Sequence, residues 1–245
     1  ILLKKKIAKK IIIFSRDEFK QEQMKKIPVF EKNKNIMRYF IGDVRDKKRI
    51  VQAMRENNID IVIHAAALKQ VPTTEYNPFE TVQTNIIGSQ NIIEVCLQKK
   101  IKKIVLVSTD KAVSPLNLYG STKLTAEKLF ISANMFRGKT NSKFSVVRYG
   151  NVMGSRGSVI PLLLKQNKYK KFFTITDKRM TRFNITLEKG VEFVLYALEH
   201  SIGQEIFVPK LKSYNILDLA KAVSSNAKIK ITGIREGEKI HEEMI

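Results

Sequence analysis

The chain has 245 residues, enough for one large domain or a domain with a smaller lobe, and 43% are hydrophobic, which excludes a disordered chain. The 45 Lys and Arg stand against 23 Asp and Glu, a formal net charge of +22. Most of that excess is Lys spread along the chain, without zinc-finger spacing or an aromatic-rich RNA-binding signature, so it reads as compositional bias and not as a nucleic-acid footprint.

A positive field of this kind equally favours anionic small ligands such as nucleotides. The single cysteine, Cys96, precludes an internal disulfide and fits a reducing compartment. Among Ile92, Ile93, Val95 and Leu97 it reads as core packing. No apolar run approaches the ~18–20 residues of a membrane span. The opening ILLKKKIAKKIII is broken by lysines, lacks a signal-peptide cleavage site and has no initiator Met. It predicts a chain that starts inside a larger protein.

In chain order, residues 1–10 read as the tail of a helix. Residues 11–14 read as a strand and 36–41 as a weaker one. Residues 45–57 are helical, with Ile50, Val51 and Met54 at helical spacing. A buried strand follows at 59–63, a long helix at 79–99, a strand at 104–107, a helix at 119–136 and a strand at 144–148. This alternation predicts an α/β fold, a Rossmann-like doubly wound parallel sheet over residues 1–150, with ligands beyond the carboxyl ends of its strands. After Asn151 the rhythm loosens. Helices are predicted at 158–164, 187–198 and 216–223 and a strand at 205–208. The tail, 151–245, reads as a smaller lobe covering the strand ends, with 187–208 returning to the main sheet.

Four stretches at strand ends carry polar chemistry. Ser15, Arg16, Asp17 and Lys20 follow the first strand, where a dinucleotide fold meets the adenosine ribose; an Arg there suits a 2′-phosphate. An ordinary helix cap with a solvated Arg is the plain alternative. In GDVRD, Asp43 could accept from an adenine amino group with Val44 against the ring, or simply cap the next helix. After the strand at 59–63, His64 is followed by Ala65, Ala66 and Ala67, small residues that allow a flat ligand close; His64 itself reads as packed. The fourth stretch is VSTDKAVSPLNLYGSTK. Tyr119 and Lys123 stand at i and i+4 on one helix face. A cation there is expected to lower the phenol's pKa and make a base for an alcohol losing a hydride. Thr109 can bond the same oxygen. A surface Tyr beside a snorkelling Lys is the plain reading. Spacing alone leaves Asp110 and Lys111 as an unexplained charged pair.

Taken together, His64 to Ala67, Ser108–Thr109 and Tyr119 with Lys123 resemble the extended short-chain dehydrogenase/reductases. Within them, SRDEFKQ, VIHAAALKQVP, STDKAVSPLNLYGSTK, SVVRYGNVMGSRGSV, ITDKRMTRFNITLEKGVEFVL and GIREGEKIHEEMI closely resemble the UDP-N-acetylglucosamine 4,6-dehydratases of the C5-inverting type, which start pseudaminic acid synthesis for flagellin glycosylation. The matching stretches cover nearly the whole chain.

The resemblance implies a hydro-lyase whose chemistry rests on Thr109, Asp110, Lys111 and Tyr119. It implies NADP held by Ser15, Arg16, Asp17, Glu18, Lys20, Asp43, Val44, Ala65, Lys69, Tyr119, Lys123, Val152, Gly154, Ser155 and Arg156. It places UDP-N-acetylglucosamine against Lys69, Asn151, Val159, Thr176, Arg182, Arg235 and Glu238. It implies a homo-oligomeric cytoplasmic enzyme with no metal, nucleic-acid or membrane partner. Tyr119 would take the C4 hydroxyl proton, Lys111 would act as a neutral base at C5, helped by the charge of Lys123 or the nicotinamide, and Asp110 would protonate the departing C6 hydroxyl. Relatives acting on dTDP-glucose usually carry Asp-Glu at 110–111, and simple 4-epimerases carry neither residue. An epimerase, a retaining dehydratase and an inactive remnant are the other readings. The chain departs from the pattern at Gln70, where His is usual, and at Glu236, where Pro is usual. The N-terminal strand and Gly-rich turn are missing from the sequence, and the family continues past Ile245, so the chain is expected to be cut at both ends.

Overall fold

A computed structural model describes residues 1–155, 157–169, 172–226 and 228–245. The order is β1 (Ile11–Ser15), α1 (Glu18–Lys25), α2 (Pro28–Glu31), β2 (Met37–Ile41), α3 (Lys47–Arg55), β3 (Ile61–His64), α4 (Val71–Tyr76), α5 (Pro78–Val82), α6 (Gly88–Gln98), β4 (Lys103–Thr109), α7 (Leu118–Ala133), β5 (Lys143–Tyr149) and β6 (Asn151–Val152). Then come α8 (Val159–Tyr169), β7 (Phe172–Ile175), β8 (Thr181–Ile185), α9 (Leu187–His200), β9 (Ile206–Phe207), β10 (Ser213–Asn215), α10 (Ile216–Val223) and β11 (Lys228–Ile231).

The main sheet is parallel, in the order β3-β4-β5-β9. Its centre is buried on both faces, which is why β4 and β5 read as nearly continuous apolar runs. Successive residues of β4 alternate between two cores. Ile104 and Leu106 pack with Phe144, Val146, α6 and Phe130 of α7. Val105 packs with Val147 and with Val194, Ala197 and Leu198 of α9 on the other face. This is a doubly wound, Rossmann-like α/β architecture.

The pair β1-β2 forms a separate two-stranded parallel sheet. A cleft of about 1800 Å³ lies between β1 and β3. Ile61 and Ile63 of β3 face it and stay 48% and 41% exposed.

Residues 2–6 form turns and not the expected helix tail. Local bonds such as Lys5 N to Ile1 O and Ile7 N to Leu2 O close single turns there, too short a run to propagate as a helix. The segment at 79–99 is one helical run interrupted by a π turn, Gln83–Ile87. That turn buries Asn85, whose amide accepts from Leu68 N at 2.8 Å and donates to Leu68 O at 2.9 Å and Thr122 Oγ1 at 3.0 Å. Asn85 thus staples the loop after β3 to α7.

Beyond Asn151 two small sheets form, β10-β8-β6 and β11-β7. They surround a second core of Leu163, Phe173, Ile175, Met180, Ile216 and Ala220. The last residues run back as a strap beside β8, bridged through Thr181 and His241. No helix among the described residues is long and apolar enough to cross a membrane.

Candidate active site

The site is built on the turn that ends β4. Thr109 Oγ1 accepts from Lys111 N at 3.4 Å and donates to Asp110 Oδ1 at 2.9 Å, which fixes a single 3₁₀ turn over Asp110–Ala112. Helix α7 starts against this turn. Asn117 caps it by accepting from Gly120 N at 2.8 Å. A Cβ on Gly120 would lie 2.2 Å from Lys111 O, so only glycine lets the helix seat here. That contact brings Tyr119, in the first turn of α7, beside Thr109 and Asp110.

Asp110 is fully buried and its Oδ2 has no hydrogen-bond partner among the described residues. Lys111 Nζ lies 3.1 Å from Asp110 Oδ1, 3.3 Å from Asn151 Oδ1 and 3.2 Å from Glu242 Oε1. Burial pushes the Lys111 ammonium down, but the Asp110 and Glu242 carboxylates outweigh it, and its pKa stands above the ordinary lysine value. This reverses the expected neutral amine: two carboxylates face Lys111, and Lys123 does not.

Tyr119 is also opposite to expectation. Burial raises its phenol well above the usual value, aided by the charge of Asp110 and opposed by a hydrogen bond with Thr109. Lys123, 3% exposed, spends its Nζ on Val107 O at 2.8 Å. Burial lowers Lys123 to about 8, with Glu127 resisting. His64 is packed, with Nε2 3.1 Å from Ser89 Oγ and its ring stacked on Phe130. Burial lowers it to about 3, so it is neutral.

Seven of the fifteen residues read as cofactor contacts line the cleft between β1 and β3. They are Ser15, Arg16, Asp17, Lys20, Asp43, Val44 and Ala65. Asp17 caps α1, accepting from Lys20 N at 2.9 Å. Arg16 lies 3.5 Å from Asp43, which is gripped by Arg45 at 2.8 Å. Asp43 does not cap α3; Asp46 does, accepting from Arg49 N. Glu18 faces a separate hollow beside Tyr39 and Ile41. Lys69 is exposed on the loop after β3. Val152 ends β6, Gly154 sits at φ +72°, and Ser155 O accepts from Ser158 Oγ at 2.7 Å. Arg156 lies outside the described residues.

Among the residues read as substrate contacts, Asn151 reaches Lys111. Val159 opens α8. Thr176 donates to Met180 Sδ at 3.1 Å. Arg182 gives Nη1 to Thr181 O and Ile240 O and Nη2 to Lys239 O. Arg235 is exposed, with Nε 3.7 Å from Glu238.

The sequence reading missed a second buried ionic cluster behind the site. Arg148 Nη2 lies 2.6 Å from Glu127 Oε2, Ser108 Oγ donates to Glu127 Oε1 at 2.5 Å, and Arg148 Nη1 donates to Met244 O at 2.9 Å. It also missed Glu242. The only available signal was that Glu242 sits in the GIREGEKIHEEMI stretch.

Residues 2–245 match the family model described as "Polysaccharide biosynthesis protein". The chain belongs to this family. It is 54% identical to the "UDP-N-acetylglucosamine 4,6-dehydratase (inverting)" of Campylobacter jejuni subsp. jejuni serotype O:23/36, over all of this chain and 72% of that protein. It is 45% identical to the "UDP-glucose 4-epimerase" of Rickettsia canadensis, over 97% of this chain and 69% of that one. Among solved structures, Pen from Bacillus thuringiensis superposes with a TM-score of 0.91 at 42% identity, over 97% of this chain and 74% of its own. More distant structures sharing the fold, a sugar-nucleotide dehydratase and an epimerase among them, were solved with NAD.

Proposed function

We propose that the protein is an NADP-dependent UDP-N-acetylglucosamine 4,6-dehydratase that inverts C5. The observation that carries this is the Asp110–Lys111 pair at 3.1 Å, with Asp110 fully buried and Lys111 half-buried, set beside Tyr119 at the end of β4. Hydride transfer at C4 alone needs no such acid-base pair. Loss of water across C5 and C6 needs both an acid and a base.

The residues present fit a phosphorylated dinucleotide at its two ends. Arg16 and Lys20 border the cleft where a 2′-phosphate would sit, Ala65 to Ala67 leave room for a flat ring, and Lys123 stands a helical turn from Tyr119. Bound NADP⁺ would supply a positive charge near Tyr119 and the capacity to take a hydride from C4 and return it at C6.

The Tyr119 phenol is neutral at rest; the positive charge that bound NADP⁺ would bring favours its ionisation, and as the phenolate, having given its proton to solvent, it takes the C4 hydroxyl proton with Thr109 held against it. The C4 ketone acidifies C5–H. Lys111 takes that proton, and Asp110 gives one to the C6 hydroxyl, which leaves as water. At rest the pair carries one proton on the wrong partner. A single transfer from Lys111 Nζ to Asp110 along their hydrogen bond leaves a neutral amine and a carboxylic acid, the two forms that elimination uses. Residues 1–150 form the cofactor-binding part in this reading and 151–245 mainly the substrate lobe. Lys69, Asn151, Val159, Thr176, Arg182, Arg235 and Glu238 face the UDP-sugar, and the guanidinium of Arg235 suits its diphosphate. The product would serve surface-glycan synthesis such as that of pseudaminic acid.

The second reading, a UDP-sugar C4-epimerase, is favoured by the 45% identity to the Rickettsia protein. Proton NMR of the product in deuterium oxide separates the two. A dehydratase gives a 4-keto-6-deoxy sugar with deuterium at C5; recovery of a sugar that keeps its 6-hydroxyl would make the epimerase reading the correct one.

A further inference from the structure

We propose that Glu242 is a positioning residue that keeps on the Asp110–Lys111 pair the one proton that elimination consumes. This rests on the dehydratase reading above. The pair works as acid and base only while it holds a single shared proton. If that proton escapes to solvent, Lys111 is still a base, but Asp110 stays a carboxylate and cannot protonate the C6 hydroxyl.

The geometry supplies the retention. Glu242 is carried on the C-terminal strap, with its side chain almost wholly buried and its Oε1 3.2 Å from Lys111 Nζ. Its Oε2 has no hydrogen-bond partner among the described residues, where its charge faces Lys111 and, at 4.0 Å, Arg182 Nε. The ammonium's three hydrogens face three acceptors, Asp110, Asn151 and Glu242. Asp110 and Glu242 together balance Lys111 and Arg182. Removing the charge of Glu242 leaves the cluster with one excess positive charge, and the proton of Lys111 is the one it can shed. Among the described residues the other titratable groups facing the pair are Tyr119 of α7 and Tyr214 of β10, whose phenols burial raises.

The strap does not depend on Glu242 for its place. Arg148 holds Met244 O at 2.9 Å, Thr181 Oγ1 lies 2.8 Å from His241 Nδ1, Ser114 donates to Glu243 at 3.1 Å, and Lys239 Nζ donates to Val113 O at 2.5 Å. Glu242→Gln is therefore expected to fold and to keep the hydrogen bond while losing the charge.

The test has two readouts. In the chain labelled at lysine Cε, with the Lys111 resonance assigned by its absence in Lys111→Arg, carbon NMR follows the amine through its titration. Glu242→Gln is expected to lower the Lys111 midpoint by about one pH unit or more, with Glu242→Asp in between. The alkaline limb of the dehydration rate is expected to move down by the same amount. An unchanged Lys111 midpoint in Glu242→Gln overturns the proposal, and a lower rate with an unmoved alkaline limb overturns it too, marking Glu242 as merely structural. If no variant, nor the parent, forms a 4-keto-6-deoxy product, the dehydratase reading falls. The NMR midpoint then still decides whether Glu242 holds the proton on Lys111.

Discussion

The two sides of the sheet are built to different standards. Around β4, β5 and α7 the strands are closed on both faces, and Val105, Leu106, Val146 and Val147 are fully buried. The turn at Asp110–Ala112 grows out of this block and is positioned by local bonds and by the seat of α7. Around β1 and β3 two parallel strands face each other across a cleft with apolar edges exposed. The residues read as adenosine contacts hang on the smaller piece. In the proposed mechanism the proton-transfer residues belong to the closed block, and the residues read as adenosine contacts belong to β1 and to the turns after β1 and β2.

The sharpest way to break this contrast is to unseat α7. Gly120→Val would drive its side chain into Lys111 O and displace Tyr119 from Thr109, with loss of all detectable turnover. Retained activity in a rate assay would mean that the α7 seat does not position the site. Next, Phe144→Ala in the closed block is expected to cost about 3–5 kcal/mol in denaturant unfolding, while Ile63→Ala at the cleft costs ~1 kcal/mol or less. Equal losses would erase the distinction.

Lys123 is expected to show the cost of a charged group in the closed block. Its folded pKa of about 8 lies below the ordinary 10.5, so burying the ammonium destabilises the fold fully below pH 8, and the penalty fades as pH rises to 10.5. Lys123→Met should therefore stabilise the cofactor-free protein by up to ~3 kcal/mol at pH 7, and by little near pH 10.5. A stabilisation that does not change with pH would show that packing, not charge, is responsible. An effect confined to acid pH concerns His64. Its folded pKa of about 3 lies below the ordinary 6.5, so it favours folding above pH 6.5 and that contribution is lost as pH falls toward 3. His64→Gln should flatten the acid side of the stability curve between those values.

The closed block was the legible half. Its strands are Val- and Ile-rich runs bounded by polar turns, and the Tyr119–Lys123 spacing falls on a helix face. Asp110 and Lys111 took their meaning from resemblance alone, because adjacent opposite charges look the same on a surface turn and in a buried site. What escaped reading is non-local. Arg148 meets Met244 across 96 positions, and Glu242 meets Lys111 across a still longer span, so neither leaves a period or spacing to find. The short strands β7, β8, β10 and β11 escaped because three to five residues of mixed polarity carry too little pattern. The protonation states escaped because they depend on which neighbour each amine faces: Lys123 turns to Val107 O, not to Tyr119, and Lys111 turns to carboxylates.

The central claim is that Asp110 and Lys111 carry out elimination as a separate step after hydride transfer. Single-turnover absorbance of Lys111→Ala with NADP⁺ and UDP-N-acetylglucosamine tests it directly. The account predicts that reduced cofactor accumulates and persists, with no 4-keto-6-deoxy sugar formed. Appearance of that product at the parent rate would contradict it.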